Sequence, residues 1–132
     1  MERTDYEAQG QEFLDTYGFS LKAAFKGDHC PPWEDGRCIH GDRYRVTIKR
    51  PGKSLSFDFW NSKADSERGD RPTAYDILSC ISSDAYNPTD PDEVAEEFGE
   101  MKPSQAIAVA RFAKKLQAFF TEEELEALSQ IN

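Results

Sequence analysis

Two runs of strict alternation flank one Pro-Gly pair, and they limit what this chain can fold into more than any other feature. Tyr44, Val46 and Ile48 alternate with Arg43, Arg45, Thr47 and Lys49; Leu55, Phe57 and Phe59 alternate with Ser54, Ser56, Asp58 and Trp60. A period of two is the signature of a half-buried strand. Folding the runs together about Pro51-Gly52 sets Ile48 opposite Leu55, Val46 opposite Phe57 and Tyr44 opposite Phe59, so every apolar residue falls on one face. A slip of one residue would turn each of them to water, which fixes the register. On the outer face Arg45 then meets Asp58, and Arg43 lies opposite Trp60 at cation–π range. Pro-Gly favours a type II turn, which suits strand twist poorly, so a connection longer than two residues is an alternative.

The neighbouring segments read as follows. A helix is expected from about Tyr6 to Tyr17, with Phe13, Leu14 and Tyr17 inward and Gly18 as its stop. Phe19, Leu21, Ala23 and Phe25 alternate with Ser20, Lys22 and Lys26, which predicts a third strand with the first set facing the core. Residues 61–71 are polar and charged and read as a mobile loop. Thr73 can cap a helix that buries Tyr75, Ile77, Leu78 and Ile81. Asp90-Pro91-Asp92-Glu93 opens a short helix that Gly99 ends, Ser104 can cap a longer one bearing Ile107, Phe112, Leu116, Phe119 and Phe120, and Thr121-Glu122-Glu123-Glu124 is a capping box before Leu125, Leu128 and Ile131. One helix, three strands and about four helices in separate blocks predict an α+β domain: a three-stranded antiparallel sheet with helices packed on one face and the other face wet.

With 132 residues, nine Phe, five Tyr and two Trp, the chain suffices for a single domain with one core. Its net charge of −9 is uneven. Residues 1–60 carry ten acids and nine bases, whereas residues 61–132 carry fifteen and seven. The single domain thus divides into a helix-plus-sheet part, 1–60, holding a Cys/His loop at 27–41, and an acidic helical half, 61–132. An acidic half repels nucleic acid and membranes and attracts basic protein surfaces; acids also simply keep helices soluble. No apolar run spans a bilayer and the N-terminus lacks a secretion signal, so the expected location is the cytoplasm. Three cysteines in a reducing compartment point to metal binding or packing rather than disulfides.

Four groups of side chains carry candidate chemistry. His29, Cys30, Cys38 and His40 supply the thiolate and imidazole donors of a structural zinc site, although adjacent His29-Cys30 and the one-residue gap in Cys38-x-His40 are poor spacings. In the alternative reading the cysteines pack and His40 forms hydrogen bonds; Cys80, in an apolar helix, reads as core. Lys22, Lys26, Arg43, Arg45 and Lys49 with Trp60 give the outer sheet face a basic surface able to hold a nucleic-acid strand, against which stand the overall acidity and the lack of further stacking rings. Asp84, Asp90, Asp92, Glu93, Glu96, Glu97 and Glu100 form an acidic set that can bind a partner protein, DNA mimicry being one form of it. Helix capping accounts for the first few and not for Glu96, Glu97 and Glu100. No phosphate loop, nucleophile elbow or H-E-x-x-H helix is present, Asp76 reads as the capping partner of Thr73, and the neighbouring Cys and His lack an orienting group, so an enzyme is not expected.

Several segments together resemble a group of small phage and prophage proteins. They are His40-Gly41-Asp42-Arg43-Tyr44-Arg45-Val46-Thr47-Ile48-Lys49-Arg50, Phe57-Asp58-Phe59-Trp60-Asn61-Ser62 and, most distinctively, Pro72-Thr73-Ala74-Tyr75-Asp76-Ile77-Leu78-Ser79-Cys80. The acidic stretch ending at Phe98-Gly99 and Phe120-Thr121-Glu122-Glu123-Glu124-Leu125 are similar too, so the resemblance runs from about Phe13 to Ile131. It implies no catalytic residue. By analogy it implies a protein that binds and disables a host protein, most plausibly a defence component of the CRISPR-Cas type, as anti-CRISPR inhibitors do. The alternatives are a nucleic-acid-binding accessory module on the basic sheet face, and a metal-stapled phage structural protein.

Overall fold

The first helix ends as its sequence dictates. The structure is a computed structural model that describes residues 3–29, 41–61 and 71–131. Helix α1 spans Arg3–Tyr17, beginning nearly a turn before the expected Tyr6, with Asp5 in the first turn, where the helix dipole favours an acid. At its end the Phe19 N–H donates to the Leu14 carbonyl at 2.9 Å across Gly18, the six-to-one bond of a Schellman stop. The apolar contact that accompanies this motif is here two stacked rings, Phe13 and Phe19, with centroids 5.7 Å apart. Arg50 lies over the Phe19 ring, its guanidinium carbon 5.0 Å from the centroid.

Three antiparallel strands follow, β1 (Ser20–His29), β2 (Gly41–Arg50) and β3 (Lys53–Trp60), in the order β1-β2-β3. The register of β2 with β3 is the one the alternation requires: Ile48 with Leu55, Val46 with Phe57, Tyr44 with Phe59, Arg45 with Asp58, Arg43 with Trp60. Leu21 and Ala23 continue the first two apolar rows from β1. Tyr44, Val46, Ile48, Leu55 and Phe57 are buried.

Two expectations in this region need correction. The hairpin connection is no longer than two residues, because Arg50 pairs directly with Lys53 and Gly52 takes φ +80°. Proline fixes φ near −65°, which excludes a primed turn, and glycine at the next position supplies the positive φ of type II. Phe25 does not enter the core. It is 56% exposed and leans edge-on against Tyr44 at 5.6 Å between centroids. It is the last regular residue before a bulge: Phe25 pairs with Tyr44 and Gly27 with Arg43, leaving Lys26 as the extra residue on an outer strand.

Helix α2 (Ala74–Asp84) begins with a reciprocal cap. The Thr73 N–H donates to the Asp76 carboxylate at 2.8 Å and the Asp76 N–H to the Thr73 hydroxyl at 3.2 Å, the role expected of Asp76. Its first turn packs on α1. A Cβ placed on Gly10 would stand 2.6 Å from the backbone N of Tyr75, so only glycine permits this approach, and the Tyr6 and Tyr75 rings lie beside it at 4.9 Å. The chain groups into two compact units, Met1–Ile77 and Leu78–Asn132, with the boundary inside α2.

The second unit holds the rest of α2 with α3 (Pro91–Phe98), α4 (Pro103–Phe119) and α5 (Glu122–Ser129). In α3, Asp90 caps by accepting from the Asp92 N–H, Pro91 occupies the first turn and Gly99 closes the end. Val94 is buried against Ala106 and Ala110 of α4, with Ala95, Met101 and Val109 around them. The start of α4 differs from expectation. Its cap is Lys102 with Pro103 in the first turn, so Ser104 lies inside the helix. Proline fits the first helical position because its missing N–H would go unpaired there anyway. The inner face of α4 is built on Ala106, Ala110, Ala113, Leu116 and Phe119, whereas Ile107 is 38% exposed. The capping box of α5 forms as read: Glu124 accepts from the Thr121 N–H and its own N–H donates to the Thr121 hydroxyl. The whole is α+β.

Candidate functional site

Helix α3 gathers the acids. Asp92, Glu93, Glu96 and Glu97 follow i, i+1, i+4, i+5 spacing, which places them on one arc of the helix, and Val94 falls on the buried side. All four are exposed, as is Glu100 just beyond the helix. Among the described residues none of the five forms an ion pair. Phe98 stands next to them, 48% exposed. The buried Val94, the Asp90 cap and Pro91 hold the arc on a fixed backbone.

Electrostatics within the helix do not explain this pattern. Asp92 and Glu93 lie in the first turn, where the dipole favours them. Glu96 and Glu97 lie near the C-terminal end, where it opposes them, and Asp92–Glu96 and Glu93–Glu97 are like-charge pairs at i, i+4. Such pairs and misplaced charges each cost about 0.2–1 kcal/mol.

Asp84 stands apart from this set. It ends α2, it is only partly accessible, and desolvation holds its carboxyl above the ordinary carboxylate range. Cys80, one turn earlier, is on the exposed side of α2 rather than in the core. Protein atoms around its sulfur raise its thiol pKa all the same, and the Asp84 carboxylate adds to the effect. A thiol kept protonated in this way is a weak nucleophile.

The outer sheet face of the first unit carries the opposite charge. Its cross-strand rows are Ser20–Lys49–Ser54, Lys22–Thr47–Ser56, Ala24–Arg45–Asp58 and Arg43–Trp60. Asp58 gathers both guanidinium groups, Arg45 at 3.2 Å and Arg43 at 3.8 Å. The Thr47 and Ser56 hydroxyls meet at 3.2 Å. Lys22, Lys26, Arg45 and Lys49 are exposed, and Trp60 is 38% exposed. Lys26 sits on the bulge and so stands outside the regular rows. The sequence reading named the cations but not the hydroxyl rows between them, nor Asp58 as the group that holds two of them. Both were open to view in the hairpin register, where each cation's cross-strand neighbour can be read off.

Of the zinc candidates, Cys30, Cys38 and His40 lie outside the described residues, and His29 is described only as the last residue of β1. Among the described residues no group of three or more His, Cys, Asp or Glu is placed to hold a metal ion. No described helix is long and apolar enough to cross a membrane. Tyr75 is taken up in the contact with α1, and Asp76 in the helix cap. Against protein-family models, curated proteins and solved structures, the chain finds no match.

Proposed function

We propose that this chain is a small acidic binding protein of a phage or related mobile element, which acts stoichiometrically on a host protein rather than by catalysis. The contact surface is the acidic arc of α3, and the partner presents a basic surface, as a nucleic-acid-handling defence component of the CRISPR-Cas type does. The observation that carries this reading is the cost of the arc. Glu96 and Glu97 oppose the helix dipole and repel their neighbours, yet a capped helix anchored by the buried Val94 holds them outward. A purely solubilising surface has no need of acids at those two places. The resemblance to small phage proteins supplies the biological setting, and DNA mimicry is one way such an arc occupies a basic groove. A structural zinc at His29, Cys30, Cys38 and His40 is a separate proposal resting on donor chemistry alone; elemental analysis of the purified protein decides it.

The test is affinity capture of the tagged protein from bacterial lysate, with and without nuclease, beside the triple variant Glu96→Lys, Glu97→Lys, Glu100→Lys. Stoichiometric recovery of one host protein that survives nuclease, and that the folded variant loses, supports the reading. Recovery that the variant leaves intact removes the acidic arc from the contact.

A further inference from the structure

We propose that the outer face of the sheet is a second, independent binding surface, and that its ligand is single-stranded nucleic acid. It shares no residue with the α3 arc, so either proposal can fail without the other.

The composition of the face selects the ligand. Lys22, Lys49, Arg43 and Arg45 project among Ser20, Thr47, Ser54 and Ser56, with Asp58 the lone acid of the rows and Ala24 the lone aliphatic. A face without aliphatic bulk has little to bury against another protein, because the centre of a protein interface is apolar and poor in charge. Cations interleaved with hydroxyl donors suit phosphate and sugar oxygens instead. Trp60 closes the Arg43 row and is 38% exposed, which offers an indole on which a base can stack. A strand that stacks a base must present it unpaired, so the single-stranded form is favoured over duplex. Salt screens the repulsion from acids elsewhere on the chain, with a Debye length of about 8 Å at physiological ionic strength.

Asp58 sets the strength of the surface. It neutralises part of the face and holds Arg43 and Arg45 across the strands. Removing its charge frees two guanidinium groups that phosphate can take up.

Fluorescence anisotropy of a labelled oligothymidylate of about 20 nucleotides tests the proposal, with thermal unfolding to confirm that each variant is folded. Binding is expected at low salt and to weaken as salt rises. Trp60→Ala should lose about tenfold in affinity and Trp60→Phe should recover most of it. The pair Lys22→Gln and Lys49→Gln should flatten the slope of log K against log salt by about 1.4. Asp58→Asn should bind more tightly than the parent, and Lys114→Gln on α4, outside the sheet, should bind like the parent. No anisotropy change at low salt overturns the proposal. So does a Trp60→Ala or lysine-pair variant that binds like the parent, equal binding of duplex, or equal competition by poly-glutamate of the same length; if Trp60→Ala does not fold, Trp60→Phe and the lysine pair decide.

Discussion

Gly10 is the residue whose role is least visible in the sequence and most consequential in the structure. Glycine inside a helix ordinarily costs about 0.5–1 kcal/mol relative to alanine, so Gly10→Ala on a free surface would stabilise. Here the new methyl would meet the Tyr75 backbone at 2.6 Å. Gly10→Ala should therefore destabilise by about 1–3 kcal/mol, read from the urea midpoint; a rise in stability would show that α1 and α2 do not approach so closely. Asp84 makes a prediction of opposite sign. Because desolvation holds its carboxyl above the ordinary value of 3.8, the folded chain keeps this proton to higher pH than the unfolded chain does. The stability tied to it is present below that ordinary value and is lost as pH rises through the raised one. Asp84→Asn should thus be more stable than the parent at neutral pH, with the advantage vanishing in acid, in urea titrations at a series of pH values. Neither role is visible in sequence, where Asp84 reads as one more acid of the partner-binding set, because close backbone approach and partial desolvation belong to packing. Cys80 shows the same limit: apolar neighbours along α2 suggested the core, and the turn of the helix put it on the exposed side.

At the scale of elements, legibility followed the strength of the local signal. The β2–β3 register was readable to the residue, since strict alternation and one buried face admit a single solution, whereas the length of the turn was not. The boxes at Thr73–Asp76 and Thr121–Glu124 were readable because hydroxyl and carboxylate three residues apart have a specific local geometry to satisfy. Helix α4 was harder. Its inner stripe is mostly alanine, which carries little hydrophobic signal, so the eye goes to Ile107 on the outside. Of the candidate surfaces, the sequence showed which residues were charged, and the structure added which of them share an arc or a row. The α3 arc predicts a conflict between stability and binding. Glu96→Lys with Glu97→Lys turns two repulsive i, i+4 pairs into attractive ones and suits the dipole. The double variant should gain about 0.5–1 kcal/mol in chemical denaturation while losing the partner. A loss of stability instead would mean that these acids serve the fold.

For the whole molecule the governing quantity is a net charge of −9, spread unevenly along the chain. Self-repulsion of that size is screened by salt, so moving from low to moderate sodium chloride should raise the melting temperature by about 3–5 °C, measured by circular dichroism. A melting temperature that falls with salt would assign a net stabilising role to ion pairs such as Arg45–Asp58. The two outer strands of the sheet also differ in a way that bears on solubility. On β1 the bulge at Lys26 breaks the ladder, and a bulge with a lysine is a poor template for a foreign strand. On β3 the run Leu55-Ser56-Phe57-Asp58-Phe59-Trp60 has no proline and no bulge, and Asp58 is its single charge. That is the composition of a segment able to form cross-β fibrils, interrupted at one position. The carboxylate that clasps two arginines in the folded chain is also the one charge that interrupts this run before it folds, so Asp58→Asn should aggregate faster than the parent on dilution from urea, read by thioflavin fluorescence.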